Sequence, residues 1–537
     1  MAPLEIVLIL LAAVVVSGAC ARMLPLPMPV PLVQIGLGVF VAAVANLGVR
    51  LDPQVFFVLF LPPLLFFDGW RLPKAGLLRD KGMILALALG LVVFTVLGLG
   101  LLIHWMIPAM PLAVAFALAA VISPTDPVAV KAIAARVPVP KRLMRLLEGE
   151  ALLNDASGLV CLRFAVVAAL TGTFSLVDAV GSFAWVSLGG LAAGFAVTTV
   201  AAQLKSWVSR RYGEDVGAQI LISLLIPFGA YFLADSVGAS GILASVAAGI
   251  TMGYVEQGGG ALAETRVRRS AVWETIQFGA SGVIFILLGE QLPRIASGAA
   301  QVVREAGHAE IYWLLLYVAA ITFGVAALRF AWVWALVRVA LCRAASCRLV
   351  AALTVAGVRG TVTLAGVLSL PFMLTDGTPF PARDLAVFLA AGVIIASLVA
   401  ATILLPGLLR HLDFAPEPGE EAAEDAARVA AGEAAVAAIA RAQGGLATRP
   451  GDADLGAEAA TRAMAPYRQR IDALSRSGVE GDVARRIDAL ERELELVGTR
   501  AERERLLQLT RSGRLSDEAA RKLVREVDLV EARIAGA

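Results

Sequence analysis

The chain has 537 residues, of which 58% are apolar and only 17% are charged, and its mean hydropathy is +0.78. This composition is typical of polytopic membrane proteins. The net charge of +2 combines two regions, since residues 1–410 hold 27 of the 46 basic residues and residues 411–537 hold 24 of the 44 acidic residues. That balance argues against a nucleic-acid partner. Four cysteines are too few for a disulfide scaffold or a structural metal site.

A membrane-spanning helix needs roughly 20 mostly apolar residues. About thirteen segments meet this requirement, with twelve as the alternative because prolines interrupt the second and third of them. In chain order they lie near residues 4–20, 29–48, 53–69, 83–104, 112–134, 146–170, 180–204, 216–235, 239–254, 271–290, 311–337, 349–371 and 385–409.

The distribution of Lys and Arg between these segments predicts the orientation. If the C-terminus is cytoplasmic, 19 basic residues fall in the inside loops and four in the outside loops. Basic residues accumulate on the cytoplasmic side of membrane proteins. We therefore expect a multi-pass protein of the cell (inner) membrane, embedded in the lipid bilayer, with its N-terminus outside and its C-terminus in the cytoplasm.

An inverted repeat would pair the first six spans with the last six around a seventh. The fifth span is interrupted by Pro124 and Pro127, and the corresponding twelfth span is interrupted by Gly357 and Gly360. Interrupted spans at matching positions of two halves indicate a transporter binding site. The sequence therefore predicts an all-α membrane protein with two inverted repeats and two broken helices.

The chain changes character after Arg410, where the long apolar segments end. We interpret residues 411–456 as a linker. Residues 457–537 have an amphipathic, charged helical pattern, and none of their apolar runs is long enough to span a membrane. They are expected to form a cytoplasmic helical regulatory tail that contacts the membrane domain or a second tail.

The sixth span contains Glu150, Asn154 and Asp155. A carboxylate inside a membrane-spanning segment is costly, so it marks a functional site by default. Asp155 can bind either a proton or a small hard cation, with Thr125 and the backbone carbonyls freed at a helix break as further oxygen ligands. This is the chemistry of an ion–proton exchanger.

The remaining membrane charges have structural interpretations beside functional ones. Asp126 can compensate the positive ends of half-helices, and Arg359 the negative ends. Arg163 and Arg329 are expected to be structural core charges, each pairing with a carbonyl or an acid. Asp68 lies either on the ion path or at the membrane interface, with its carboxylate reaching for water.

Four motifs occur in one order along the chain: Leu61–Asp68, Ser123–Pro127, Glu150–Asp155 and Gly357–Gly360. Together they resemble the NhaP-type branch of the sodium/proton antiporters, which includes the animal sodium/proton exchangers. The resemblance covers about residues 1–410 and implies a homodimer that works by elevator-like alternating access. It implies moving core helices at about 83–170 and 311–409, and static dimerisation helices at about 4–69 and 180–290.

The same resemblance implies roles for individual residues. Asp155 would be the carboxylate that binds the proton and, as a metal ligand, the transported monovalent cation. Asn154 would be its partner. Thr125 and Asp126 would lie where the broken helices cross, and Glu150 would pair with Arg359. Electrogenic relatives have two aspartates where this chain has Asn154 and Asp155, which implies electroneutral one-for-one exchange.

Two positions depart from the family pattern. Some relatives have a hydroxyl residue where this chain has Ala151, and the acid of the third span comes one residue later here, at Asp68. The choice between sodium, potassium and lithium is therefore open.

The resulting prediction is a secondary active monovalent cation/proton antiporter, most simply Na+/H+, that serves pH and sodium homeostasis. It is not expected to be an enzyme, so it needs no catalytic residues, and no cofactor is expected besides the transported ions. A K+/H+ antiporter of the same fold is the alternative. A cation channel is more distant, because no filter-like glycine-rich loop is visible. An aspartyl protease using Asp126 and Asp155 lacks the expected Gly-x-Gly-Asp pattern.

Overall fold

The chain forms two units, Met1–Asp413 and Phe414–Ala537. The computed structural model describes most of both units. The described residues are 3–23, 28–45, 53–72, 80–127, 130, 141–171, 176–257, 262–305, 312–341, 347–374, 377–410, 420–446, 453–475, 478–512 and 514–535.

The first unit is built from fourteen helices in its described part, two of which are the halves of one broken helix. They are α1 (Pro3–Met23), α2 (Val30–Ala45), α3 (Pro53–Arg71), α4 (Lys81–Met106), α5 (Leu112–Ile122), α6 (Lys141–Thr171), α7 (Leu176–Tyr212), α8 (Val216–Ser236), α9 (Gly241–Gln257), α10 (Ala263–Glu305), α11 (Tyr312–Leu341), α12 (Cys347–Val355), α13 (Thr361–Leu368) and α14 (Arg383–Leu409).

Eight of these helices are long and apolar enough to cross a membrane, counting only the described residues. They are α1, α4, α6, α7, α8, α10, α11 and α14, and α2 and α5 are shorter apolar helices. Each of the thirteen predicted segments overlaps one of the fourteen helices of the first unit or, for the twelfth segment, the broken pair α12 and α13. The all-helical membrane architecture is confirmed, whereas the number of spans stays a prediction.

Two closely packed helix pairs are related in the way that the predicted repeat requires. Helix α2 packs along α10, and α3 packs along α9. In the repeat, α2 corresponds to α9 and α3 to α10, so the two pairs are equivalent. Both depend on glycine, because a Cβ on Gly38 or Gly289 would collide with the facing backbone, and so would one on Gly69 or Gly249.

The two broken helices cross each other. Helix α5 ends at Ile122, and the following segment Ser123–Pro127 is not helical because its prolines cannot continue the backbone hydrogen bonds. The second break lies between α12 and α13, at Ala356–Gly360. The Asp126 N–H donates to the Val358 carbonyl oxygen at 2.7 Å, which joins the two unwound segments.

The helices of the first unit pack mainly within two groups. We call α4–α6 with α11–α14 the crossing group, because it contains both breaks. We call α1–α3 with α7–α10 the flanking group. The main contact between the groups joins α10 to α14. The site described below lies where the two groups face each other.

The second unit contains α15 (Glu420–Leu446), α16 (Ala453–Ser475), α17 (Gly478–Arg511) and α18 (Asp517–Ala535) in its described part. The predicted linker at residues 411–456 is therefore wrong in part, since α15 occupies much of it. Alanine has the highest helix propensity, which explains a helix in this alanine-rich segment. Helix α15 packs on α16, where Ile471 lies against Gly432.

Candidate functional site

Helix α6 carries three buried polar side chains near the centre of the first unit. Glu150 is 0% exposed, Asn154 1% and Asp155 8%. At 3.6 residues per turn, Asn154 lies about 40° around the helix from Glu150, whereas Asp155 lies about 140° from it. The two carboxylates therefore face different surroundings.

Glu150 is neutralised by Arg329 of α11. Arg329 donates through Nη1 to Oε1 and through Nη2 to Oε2, the second at 2.8 Å, so the contact is bidentate. Arg329 Nε also donates to the Leu353 carbonyl oxygen in the last turn of α12, at 3.0 Å. The predicted pair between Glu150 and Arg359 is thus wrong, because α11 brings a different arginine to the Glu150 side of α6.

Arg359 instead serves the end of the broken helix α5. Its Nη1 donates to the carbonyl oxygen of Ser123 and, at 2.7 Å, to that of Pro124. These carbonyls follow the end of α5 and have lost helical partners. On the opposite side of the crossing, Asp126 Oδ2 accepts from the Thr361 N–H at 3.2 Å, at the first residue of α13. The C-terminal end of α5 and the N-terminal end of α13 thus each meet a charge of opposite sign.

Thr125 connects the break to helix α6. Its hydroxyl donates to Glu150 Oε1 at 3.3 Å and accepts from Asn154 Nδ2 at 2.9 Å. This leaves Asn154 Oδ1 buried without a hydrogen-bond partner in the part of the chain that the structure describes. The short chain from Asn154 through Thr125 to the Glu150–Arg329 pair holds the unwound segment against α6.

Asp155 faces a cavity of about 600 Å³ between the crossing and flanking groups. Thr125 and Thr361 line it from the crossing group, and Gln34 and Gln277 line it from the flanking group. Five carboxylates and one basic side chain contribute to its walls: Asp68, Asp126, Glu148, Asp155, Glu274 and Arg71. Such an excess of negative charge raises the local concentration of cations.

The two buried carboxylates of α6, Glu150 and Asp155, have opposite environments. Glu150 is held by Arg329, whereas no Lys or Arg within the described ranges forms an ion pair with Asp155. Asp155 opens instead onto the cavity with hydroxyl oxygens close by. A buried carboxylate without a basic partner must bind a proton or a cation to be stable in this environment.

Asp68 lies at the same cavity, on α3. Its side chain is exposed, and its Oδ1 accepts from Gln277 Nε2 at 3.2 Å. Arg163 differs from its expected role as a core charge, because its side chain is 44% exposed and lies 3.9 Å from Asp235. It does not line the cavity, and it lies about 12 Å along α6 from Asp155 because it is eight residues further on.

One supporting feature has no signal in the sequence. Helix α4 contains a π-helical turn at Ala86–Gly90, which widens the helix beside α6. Ser157 donates to the Ala88 carbonyl oxygen at 2.6 Å, and Trp332 Nε1 donates to the Ala86 carbonyl oxygen at 3.1 Å. Such turns often occur at functional sites. The one sequence feature that points to Ser157 is its position three residues after Asn154.

Known proteins of similar sequence share this framework. A family model described as "Sodium/hydrogen exchanger, transmembrane" matches residues 7–411. The uncharacterized Na(+)/H(+) exchanger YjcE of Escherichia coli is 39% identical, over 98% of both chains. A sodium, potassium, lithium and rubidium/H(+) antiporter of Bacillus pumilus is 41% identical over 76% of this chain and 61% of its own length.

A solved structure shows the same fold. The sodium proton antiporter MjNhaP1 of Methanocaldococcus jannaschii matches 76% of this chain and 99% of its own, with a TM-score of 0.59 and 17% sequence identity. The apolar helices, the two crossing breaks and the family match all indicate a membrane transporter. The chain is a multi-pass membrane transporter, not an enzyme, and belongs to the sodium/hydrogen exchanger family of cation/proton antiporters.

Proposed function

We propose that this protein exchanges one sodium ion for one proton at Asp155, without net movement of charge. The observation that carries the proposal is the different environment of two carboxylates on one helix. Glu150 has a bidentate arginine partner, whereas Asp155 opens onto the acidic cavity without a basic partner among the described residues. Of these two carboxylates, Asp155 alone can change its occupant without leaving a buried arginine unpaired.

The transported ion would be held by oxygen atoms. Asp155 supplies a carboxylate, and Thr125 and Asp126 line the same cavity. Asn154 Oδ1, which is buried and has no hydrogen-bond partner among the described residues, would be a further oxygen ligand. Carboxylate, hydroxyl and carbonyl oxygens suit small hard cations. Asp68 would belong to the path by which the ion enters, because it lines this cavity from the flanking group.

The one-for-one ratio follows from the neutral neighbour. Asn154 carries no charge, and Glu150 is already paired with Arg329. A single carboxylate can exchange one proton for one monovalent cation. Release of one and binding of the other would leave the charge of the moving site unchanged, so a membrane potential would neither drive nor oppose transport.

A broader range of cations is a second candidate. The Bacillus pumilus relative is named for antiport of sodium, potassium, lithium and rubidium. The cavity of about 600 Å³ is much larger than any of these ions, so its size does not select among them. A K+/H+ exchanger with the same site would then differ only in the spacing of the oxygen ligands.

We further propose that the protein is a homodimer in the cell (inner) membrane and acts in pH and sodium homeostasis. The crossing group would move relative to a static flanking group that forms the dimer contact. The position of the cavity between these groups supports such alternating access. The excess of basic residues in the alternate loops supports an outside N-terminus and a cytoplasmic C-terminus.

The test is transport by the purified protein in lipid vesicles. An imposed sodium gradient is expected to move protons, and the same protein in a planar membrane is expected to carry no sodium-dependent current. Potassium, lithium and rubidium gradients in the same assay distinguish the second candidate. A sizeable current would refute one-for-one exchange and favour a channel.

Asn154→Asp is the matched variant for stoichiometry. It adds a second ionisable carboxylate beside Asp155 without changing the size of the side chain. We expect its proton transport to become sensitive to an imposed membrane potential, whereas the unmodified protein stays insensitive. Equal insensitivity of both proteins would show that this position does not set the charge ratio.

Removal of the second unit should leave basic transport in place. The first unit, Met1–Asp413, contains the cavity and every residue assigned to the ion. We expect a chain that ends after Asp413 to bind and exchange cations with a changed rate or pH dependence. A folded truncated protein that exchanges no cation at any pH would mean that residues 414–537 complete the site.

A further inference from the structure

Helix α17 of the second unit has an apolar stripe that nothing in the described structure covers. The stripe, which we call the seam, consists of Val483, Ile487, Leu490, Leu494 and Val497. These side chains are 54%, 57%, 45%, 71% and 59% exposed, respectively. Contiguous exposed apolar surface of this kind marks an interaction site.

The opposite face of α17 is already used within the second unit. Thr499 is buried there, and Leu496 and Leu506 are half-buried. On the same face, Arg503 contacts two acidic residues of α18, Asp528 at 2.9 Å and Glu531 at 2.5 Å. One face of α17 therefore packs against α18 of the same chain. The other face, which carries the seam, has no partner among the described residues.

The spacing of the seam identifies the kind of partner. Its members are separated by four, three, four and three residues, which is the heptad pattern of a coiled coil. A surface that packs on a flat sheet or a membrane would show a wider stripe. A narrow seam of two positions per heptad fits against one equivalent helix.

The charges beside the seam select the direction of pairing. In a parallel, in-register pair, Arg486 of one chain would face Glu491 of the partner subunit, and this contact occurs twice by symmetry. In the antiparallel register that joins all the apolar layers, Glu491 would face Glu491 of the partner subunit, whereas Glu493 would face Arg486 of the partner subunit. Only the parallel pair therefore avoids a contact between like charges. Arg486, Glu491 and Glu493 are all exposed and free to make intersubunit contacts.

We propose that the seam pairs in parallel with the seam of a second copy of this chain, forming a two-stranded coiled coil in the second unit. This pairing goes beyond ion exchange and does not depend on it. It joins two subunits through α17, separately from any contact between membrane helices. A two-fold axis that runs along the paired helices places equivalent residues opposite each other, as an in-register coiled coil requires.

Disulfide crosslinking of the full-length protein in its membrane tests the pairing. The four native cysteines are first replaced by serine. Leu490→Cys places a thiol on the seam, opposite its own copy in a parallel pair. Arg492→Cys, two residues away and exposed on another face, is the matched control. We expect mild oxidation to give several-fold more covalent dimer from Leu490→Cys than from Arg492→Cys.

Charge reversal tests the direction and the partner. In the Leu490→Cys background, Arg486→Glu or Glu491→Arg alone should reduce crosslinking several-fold, because like charges would then face each other. The two changes together should restore it, whereas Arg492→Glu should have no effect. Equal crosslinking at positions 490 and 492 would overturn the proposal. So would a seam thiol that neither crosslinks nor reacts with a water-soluble maleimide, since another segment or the membrane would then cover it.

Discussion

The Asp155→Asn protein is expected to lose sodium-driven proton movement completely, to the level of protein-free vesicles. The change keeps the size of the side chain but removes the group that alternates between proton and cation. Folding should be retained, because no described basic residue depends on this carboxylate for charge neutralisation. The thermal midpoint of the purified variant should be no lower than that of the unmodified protein, since a buried ionisable group is replaced by a neutral one.

Glu148→Gln is the control for this result. Glu148 lies on the same helix and lines the same cavity, but it is only half-buried. Loss of its charge should weaken attraction of cations and lower the rate without abolishing exchange. Substantial sodium-driven proton movement by a well-folded Asp155→Asn protein would show that another group carries the ion.

The largest loss of stability is expected when the pair between Glu150 and Arg329 is broken. Removing one partner of a buried ion pair leaves an uncompensated charge and costs about 3–5 kcal/mol. Glu150→Gln and Arg329→Gln should therefore each express poorly or melt at a markedly lower temperature. The double variant should be less destabilised than the sum of the two single variants, because neither charge remains.

Arg163→Gln provides the comparison for this cycle. Its side chain is 44% exposed and lies 3.9 Å from Asp235, so its removal should change the thermal midpoint little. Strictly additive effects of Glu150→Gln and Arg329→Gln in thermal melting would contradict the contact. A similar cycle between Glu150 and Arg359 should show weaker coupling, because Arg359 binds the Ser123 and Pro124 carbonyls instead.

These two experiments separate two roles on one helix. Glu150 belongs to a network that holds the crossing in place, through Thr125 and Arg329. Asp155 lies about 140° around α6 and borders the cavity. If both expectations hold, one carboxylate maintains the architecture while the other carries the ion, and their positions on α6 explain the difference.

Local features of the sequence already determined much of this protein. Pro124 and Pro127 cannot continue a helix, and Gly357 and Gly360 weaken one, so both breaks could be predicted without a structure. A carboxylate in an apolar span is costly wherever the chain folds, which singled out Asp155. Helix periodicity predicted the amphipathic second unit, although the alanine-rich segment at Glu420–Leu446 was misjudged as a linker.

Which side chains far apart in the sequence contact each other depends on the tertiary structure. Glu150 and Arg329 are 179 residues apart, and Arg359 is an equally charged candidate nearer in sequence to the second break. The choice depends on how α11 and the crossing segments pack around α6. The cavity and the π-helical turn of α4 likewise arise from packing between helices. The cost of a buried charge and the helix propensity of a segment are local properties, so they can be predicted from the sequence. Which arginine pairs with Glu150 depends on contacts that exist only once the helices have assembled.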